Sequence, residues 1–398
     1  MPLEKPVVPL PRPQRVFSDF GASYAASATV AFLFAASGPV AIILSVGARG
    51  GLSESDIASW IFAAFCLNSV ISIAFTVRYR QPLIFLWSIP GSVLVGPALA
   101  HLSFPEVIGA FLATGVLMVL LGLSGWVRRA MDAVPMPIVM AMVAGVFLRF
   151  GIDLVLAFPA ALWIALPMTV AFFVFLKVNR YVPPLIAALA TGAVAIWALG
   201  AFNAPAGALF AFASPNFYVP QFSWAAMVEL VVPLAITVLA VQNAQGIAIL
   251  AANGHAAPVN AITTACGVGS VATGLFGAVS TCLTGPVNAV LSSTGEKPRQ
   301  YTAALFFCVL AIAFGALAPF FTRVLLATPP AFIATLAGLA MLKVLQTAFT
   351  ASFGGKFSFG ALVCFLVTVA DVAIFRIGAP FWGLVFGLAA SWLLERRA

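Results

Sequence analysis

"VSTCLTGPVNAVLSSTG", residues 279–295, places three Ser and Thr side chains ahead of a Gly-Pro and four Ser, Thr and Asn side chains behind it. Strongly apolar sequence flanks it on both sides. The stretch is too polar for an ordinary membrane helix and too apolar for a surface loop. How the chain accommodates it decides the fold.

Of the 398 residues, 63% are hydrophobic and only 8% are charged, where soluble domains carry about a quarter charged residues. So few charges cannot cover a water-facing surface, and the lipid bilayer must be the solvent. The net charge of +8 does not indicate nucleic acid. The Lys and Arg residues stand in ones and twos at the ends of apolar blocks, the pattern of topology determinants. The five cysteines (Cys66, Cys266, Cys282, Cys308, Cys364) lie inside apolar blocks with no CxxC spacing. They read as small buried hydrophobes, not as disulfides or zinc ligands. The Pro-rich, basic start "MPLEKPVVPLPRPQRVFSDF" has no short apolar core with a small-residue cleavage site, and reads as a retained cytoplasmic arm over residues 1–20.

A membrane span takes roughly 20 mostly apolar residues, fewer if a helix is broken within the protein. Segments fall near 22–46, 57–77, 84–100, 105–125, 134–150, 158–177, 183–201, 223–252, 258–277, 279–293, 301–322, 328–346, 357–375 and 379–394, about 14 in all. With the N-terminus inside, every Lys and Arg falls on the cytoplasmic side except Arg49, Arg149, Arg323 and Arg376. One missed span would scramble that asymmetry. Fourteen segments with both termini cytoplasmic divide into seven and seven. Seven is odd, so the second half enters with opposite orientation, the arithmetic of an inverted repeat. Segments 1 and 8 share "AASGPVAIILSVGARGG" (35–51) and "QNAQGIAILAANGH" (242–255). Segments 3 and 10 share "WSIPGSVLVGPAL" (87–99) and "TCLTGPVNAVLSS" (281–293), where a shift of 194 puts Gly91 on Gly285. The two irregular segments stand third in each half.

Pro removes a backbone donor, Gly relaxes the backbone, and the residue before Pro is pushed toward extended geometry. Segments 3 and 10 are therefore expected to enter extended and become helical at the Gly/Pro, within the membrane. Free N–H groups and the positive dipole end then point into the protein, ready for an anion. Ordinary helices kinked by Gly-Pro would suit one such motif better than two matched ones. The candidate ligands are Gly91 and Ser92 in segment 3, and Thr284, Gly285 and Asn288 in segment 10. The three amides of "AVQNAQG" (240–246) in segment 8 are expected to face the interior or the same cavity, with Gln242 and Asn243 as candidate ligands, because buried amides are costly against lipid. Their simpler role would be interhelical packing. Ser37 and Gly38, ahead of Pro39, hold the pseudo-symmetric place in segment 1.

Taken in order, "SGPVAIILSVGARGGLS", "WSIPGSVLVGPAL", "AVQNAQGIAIL" and "STCLTGPVNAV" resemble the BenE family of benzoate:proton symporters, over nearly the whole chain from about residue 20. The resemblance extends more distantly to the nucleobase–ascorbate and sulfate-permease transporters. It implies an all-α integral membrane fold, a 7+7 inverted repeat divided into a core domain (21–130 and 223–326) and a gate domain (131–222 and 327–398). It also implies a substrate held between segments 3 and 10, beside segments 1 and 8, a bacterial inner-membrane location, and a homodimer through the gate domain. Proton-coupled nucleobase members carry acids in segments 8 and 10 at the substrate. Here the matching places hold Gln242 and Pro286, so the proton site does not transfer.

For a benzoate-like cargo, the ring needs apolar walls beside the carboxylate site. Phe34, Trp87 and Phe276 are the candidates. Importing the anion against a negative interior costs about 2.3 kcal/mol per 100 mV, which one co-transported proton would cancel. A carrier should be an acid within the membrane. Most of the 11 acids sit at segment ends, and Asp153 follows Arg149 at i+4 as a ready ion pair. That leaves Glu229 and Asp371, the latter with Arg376 as a prospective partner. The two histidines, His101 and His255, fall in or beside loops; uptake of the neutral acid would need no carrier. A same-fold transporter of a nucleobase or inorganic anion, and an anion channel, are the rival readings. No nucleophile–base pair, metal-ligand spacing or phosphate loop points to an enzyme or a cofactor other than the coupling proton.

Overall fold

The computed structural model describes residues 3–6, 9–127, 129, 135–178, 183–203, 210–375 and 377–395. Arg128, Asp132, Arg180, Arg376, Arg396 and Arg397 lie outside them. The described chain is mostly helical, with an element at each place where the sequence suggested a segment. Seven helices are long and apolar enough to cross a membrane: Ala22–Arg49, Glu54–Tyr79, Phe104–Ser124, Met136–Ala160, Trp224–Ala252, Lys297–Ala316 and Pro330–Phe353. Shorter apolar helices accompany them, among them Leu162–Val178, Pro184–Ala198, Ser358–Ala370 and Ala379–Leu394. Their outward faces are apolar: Val116, Leu120, Trp163, Val170, Trp197 and Leu366 are all exposed. Such a surface is stable only against lipid tails.

Three of the long helices depart from regular form, Glu54–Tyr79 by a wide π turn over Ala63–Leu67. Ala22–Arg49 is broken at Ser37, where Ala22–Ala36 ends and Gly38–Arg49 begins with Pro39 in its first turn. Trp224–Ala252 carries wide π turns over Met227–Val231 and Thr237–Asn243. Such turns rotate the residues that follow and recur at functional sites.

The helices sort into two packing groups. Met136–Ala160, Pro330–Phe353, Ser358–Ala370 and Ala379–Leu394 pack against one another, with Leu162–Val178 on Pro184–Ala198 beside them. Separately, Phe104–Ser124 lies along Val259–Gly274, and Tyr301–Ala316 lies against Ala22–Ala36 and Asn68–Tyr79. The groups meet where Gly38–Arg49 touches Pro330–Phe353 and Ile89–Ala98 touches Met136–Ala160. Gly38 allows that approach, since a Cβ there would stand 2.5 Å from the Cβ of Ala340.

The N-terminal arm is tied down. The Glu4 carboxylate accepts the free N–H groups of Asn260 (2.9 Å) and Ala261 (3.0 Å) at the start of Val259–Gly274, a charged cap on a helix N-terminus. At the opposite end of the molecule, Asn216 and Tyr218 of the connection over residues 210–223 hydrogen-bond to Asp56. Burial and then the Asp56 bond push the Tyr218 phenol well above its ordinary value.

Candidate functional site

Segments 3 and 10 are broken as the Gly/Pro chemistry predicts. Phe85–Trp87 (β1) and Thr281–Leu283 (β2) pair antiparallel, with Phe85 opposite Leu283, Leu86 opposite Cys282 and Trp87 opposite Thr281. Two further bonds close the ribbon, Ser88 N–H to the Ser280 carbonyl at 2.9 Å and Thr284 N–H to the Ile84 carbonyl at 3.1 Å. Both strands are fully buried, so pairing with each other satisfies backbone groups that no water could reach. Each strand then gives way to a half-helix, Ile89–Ala98 and Gly285–Ser292. Proline is the second residue of both. Pro90 therefore corresponds to Pro286, Ser88 to Thr284 and Gly91 to Val287, two residues away from the match that aligning Gly91 with Gly285 suggested.

The two N-termini differ. Ser88 Oγ accepts the Gly91 N–H at 3.0 Å, and Ser92 Oγ donates to the Ser88 carbonyl at 3.1 Å. Gly91 and Ser92 are thereby absorbed into the capping of their own helix. Thr284 makes no such cap. Among the described residues the Thr284 hydroxyl and the N–H groups of Gly285 and Val287 have no hydrogen-bond partner in the protein.

A cavity of about 570 Å³ opens in front of this uncapped end. Phe34, Trp87, Pro90, Met140 and Phe147 give it apolar walls, and Gln242, Gln245 and Thr284 give it polar ones. Among the described residues the Gln242 and Gln245 amides have no hydrogen-bond partner. Gln245 hangs over Gly285, whose Cβ, if it had one, would stand 2.7 Å from Gln245 Oε1. Trp87 is 2% exposed, meets Phe65 in a tilted ring contact at 5.0 Å between centroids, and leaves its indole N–H unpartnered. The mouth lies at the exposed Met136, Lys343, Thr347 and Ala351.

Of the sequence candidates, Phe34, Trp87, Gln242 and Thr284 line the cavity, and Gly285 lies beside it under Gln245. The others do not reach it, each for a physical reason. Asn288 clamps the ribbon, accepting the Ile84 N–H at 3.0 Å and donating to the carbonyls of Ile84 (3.2 Å) and Thr284 (2.8 Å). Asn243 accepts the Leu283 N–H at 2.8 Å and so holds β2 from the other side. Ser37 turns its hydroxyl back onto the Phe34 carbonyl at 3.0 Å, and Gly38 is a helix contact. Phe276 pairs with Phe217 and offers its carbonyl to Ser59. Gln245, the third amide of "AVQNAQG", lines the cavity as well, though it is not among the candidate ligands named from the sequence. It stands three residues after Gln242, which places both on one helix face.

The acids separate as well. Glu229 is buried at 4% exposure, and its Oε2 lies 2.8 Å from His101 Nε2, at the turn that follows the Ile89–Ala98 half-helix. Its other oxygen lies against Gly378, ahead of Ala379–Leu394. The fold thus brings together two residues that lie 128 apart in the sequence. His255 bonds Gln300 at 2.7 Å, and burial holds its imidazole below the ordinary value. Asp371 is exposed in a left-handed turn. It joins Arg49 and Arg149 in a separate vestibule of about 380 Å³, which Val93, Gly96 and Pro97 of the same half-helix line from the other side. Asp153 pairs with Arg149 at 3.3 Å, as its spacing suggests, and also with Arg49 across the boundary between the two packing groups. All five cysteines are free and buried, and no group of potential metal ligands occurs among the described residues.

A family model described as BenE, benzoate membrane transport protein, matches residues 18–393. The chain is 30% identical over 364 residues to the inner membrane protein YdcO of Escherichia coli strain K12, an alignment covering 90% of this chain and 92% of that one. It is 26% identical over 386 residues to a benzoate membrane transport protein of Acinetobacter baylyi, covering 94% and 96%. Among solved structures, the transmembrane domain of a cyanobacterial bicarbonate transporter, BicA, superposes with a TM-score of 0.61 at 14% identity, over 95% of this chain and 99% of that one. A murine solute carrier 26 anion transporter, member A9, in its inward-facing state gives 0.64 at 14% identity, over 98% and 73%. At such identities the likeness is one of fold.

Proposed function

The chain belongs to the BenE family and is a multi-pass inner-membrane transport protein, and from that premise we propose that it imports benzoate or a related aromatic carboxylate together with a proton. One observation carries the reading. The Thr284 hydroxyl and the Gln242 and Gln245 amides, all unpartnered, line a mostly apolar cavity, with the free N–H groups of Gly285 and Val287 next to Thr284. Unsatisfied donors at a helix N-terminus suit a carboxylate, while Phe34, Trp87, Met140 and Phe147 suit a ring. A small hydrated anion would gain nothing from those walls.

Transport on this reading moves the core domain against the gate domain, for which the two packing groups and their narrow boundary are the support. The cavity opens at the end that bears Lys343, the cytoplasmic end by the charge asymmetry, while Arg49–Asp153 holds the groups together at the other. Glu229 is the better proton carrier of the two candidates. It is buried, hydrogen-bonded to His101, and lies against Gly378 at the start of Ala379–Leu394, whereas Asp371 is exposed. A carboxylate so placed changes the cohesion of the boundary when it gains or loses a proton.

Reconstituted vesicles test this. Saturable accumulation of labelled benzoate driven by an imposed inward proton gradient, inhibited by cold benzoate and not by uracil or sulfate, is the expected result. Inhibition by sulfate or uracil alone would move the cargo to an inorganic anion or a nucleobase. Large unsaturated currents would make the protein a channel.

A further inference from the structure

We propose that Lys343 is the residue by which the site prefers an anionic aromatic substrate to a neutral one, its charge acting on the carboxylate from the rim of the cavity. The inference rests on the aromatic-carboxylate reading above. Lys343 is the one charged side chain lining the cavity among the described residues. It belongs to Pro330–Phe353, which presents Ala340, Lys343, Val344, Thr347 and Ala351 to the cavity. Those positions recur every three or four residues and so share one helix face. Ala340 packs on Gly38 at the boundary between the packing groups. Lys343 therefore stands one turn from that contact, toward the mouth.

Its charge is uncompensated. Lys343 Nζ donates to the neutral Gln346 Oε1 at 2.9 Å, and no carboxylate of the described residues comes within ion-pair distance of it. Arg49, Arg80, Arg149, Arg299 and Arg323, by contrast, each lie beside an Asp or Glu. A free ammonium at the rim of an apolar cavity sends its field inward, since the walls screen it less than water does. A neutral ring would gain only apolar contact in such a cavity, and an anion would gain the field as well. Lysine suits the place because its flexible stem lets a point charge follow the carboxylate as it moves between half-helix and mouth.

The test is calorimetric titration of the purified full-length protein with benzoate and with benzamide, its neutral counterpart, at low and high salt. Lys343→Gln should weaken benzoate binding about three- to tenfold, a range set by a charge pair that is half screened. It should also flatten the salt dependence and leave benzamide affinity unchanged. Retained benzamide binding shows that the variant is folded. Lys343→Arg should keep both benzoate affinity and its salt dependence. Unaltered benzoate binding in Lys343→Gln, or an equal loss for benzoate and benzamide, would overturn the assignment. Wild-type protein that binds neither compound would remove the aromatic-carboxylate reading itself, and this inference with it.

Discussion

Ser88 and Thr284 hold the same position, each between a buried strand and a half-helix whose second residue is proline, yet only Ser88 turns its hydroxyl onto the helix that follows. The first half-helix is closed on itself, with Ser88 capping Gly91 and Ser92 bonded back to Ser88. The second is open, and the residue matching Ser92 is Asn288, whose amide reaches across to the backbone of the first repeat. Matched elements of an inverted repeat have thus divided the work. The segment-10 half-helix leaves its first N–H groups free beside the cavity. The segment-3 half-helix supplies a rigid partner strand at one end and leads to His101, beside Glu229, at the other.

The widest split between the two should come at their glycines. Gly285→Leu drives a side chain into the space of Gln245 and should cut benzoate uptake at least about a hundredfold, as misplaced site groups do. Because Gln245 is exposed and can move aside, membrane insertion and thermal stability should be kept. Gly91→Ala puts a Cβ 3.1 Å from Leu234 and from Ser88 and should lower uptake only a few-fold. Equal losses in the two variants would erase the distinction.

Next comes the far end of the first half-helix. Glu229→Gln and His101→Gln should each abolish accumulation driven by a proton gradient while benzoate affinity and benzoate exchange persist. Asp371→Asn should leave the pH response as in wild type. Loss of binding in Glu229→Gln would place the acid at the anion, not at the coupling step.

The hydroxyls give a smaller contrast. Thr284→Val should weaken benzoate by about tenfold, the worth of one hydrogen bond to a charged group, with unfolding unchanged. Ser88→Ala should reverse the pattern, costing about 1 kcal/mol of stability for the lost cap with affinity intact. Smallest in transport but visible in stability, Asn288→Ala should destabilise by about 1–3 kcal/mol, because it strands the buried Ile84 N–H. A fall in affinity at unchanged stability there would return Asn288 to the ligand set.

The break in segments 3 and 10 was legible because Gly and Pro inside apolar runs have few other uses, and the membrane class because so few charges cannot cover a water-facing surface. Less legible was which polar groups stay free. Asn243, Asn288 and Gln242 look alike in sequence as amides in lipid-depth segments. Whether an amide meets a strand N–H or an empty cavity depends on the π turn at Thr237–Asn243 and on the strand pairing, both of them tertiary. Aligning the glycines misplaced the half-helix starts, because the proline at the second position sets the helix entry and the glycine does not. The His101–Glu229 pair joins residues 128 apart and carries no local signal. Gln245 did carry one, in its three-residue spacing from Gln242.

The central claim is that the carboxylate meets the uncapped half-helix while the ring lies against the apolar wall. Anomalous diffraction from the protein bound to 4-bromobenzoate reads this directly. The account predicts bromine density among Phe34, Met140 and Phe147, with the carboxylate turned to Thr284 and the N–H groups of Gly285 and Val287. Bromine in the vestibule of Arg49, Arg149 and Asp371, or a carboxylate at the Ser88 end of the first half-helix, would contradict it.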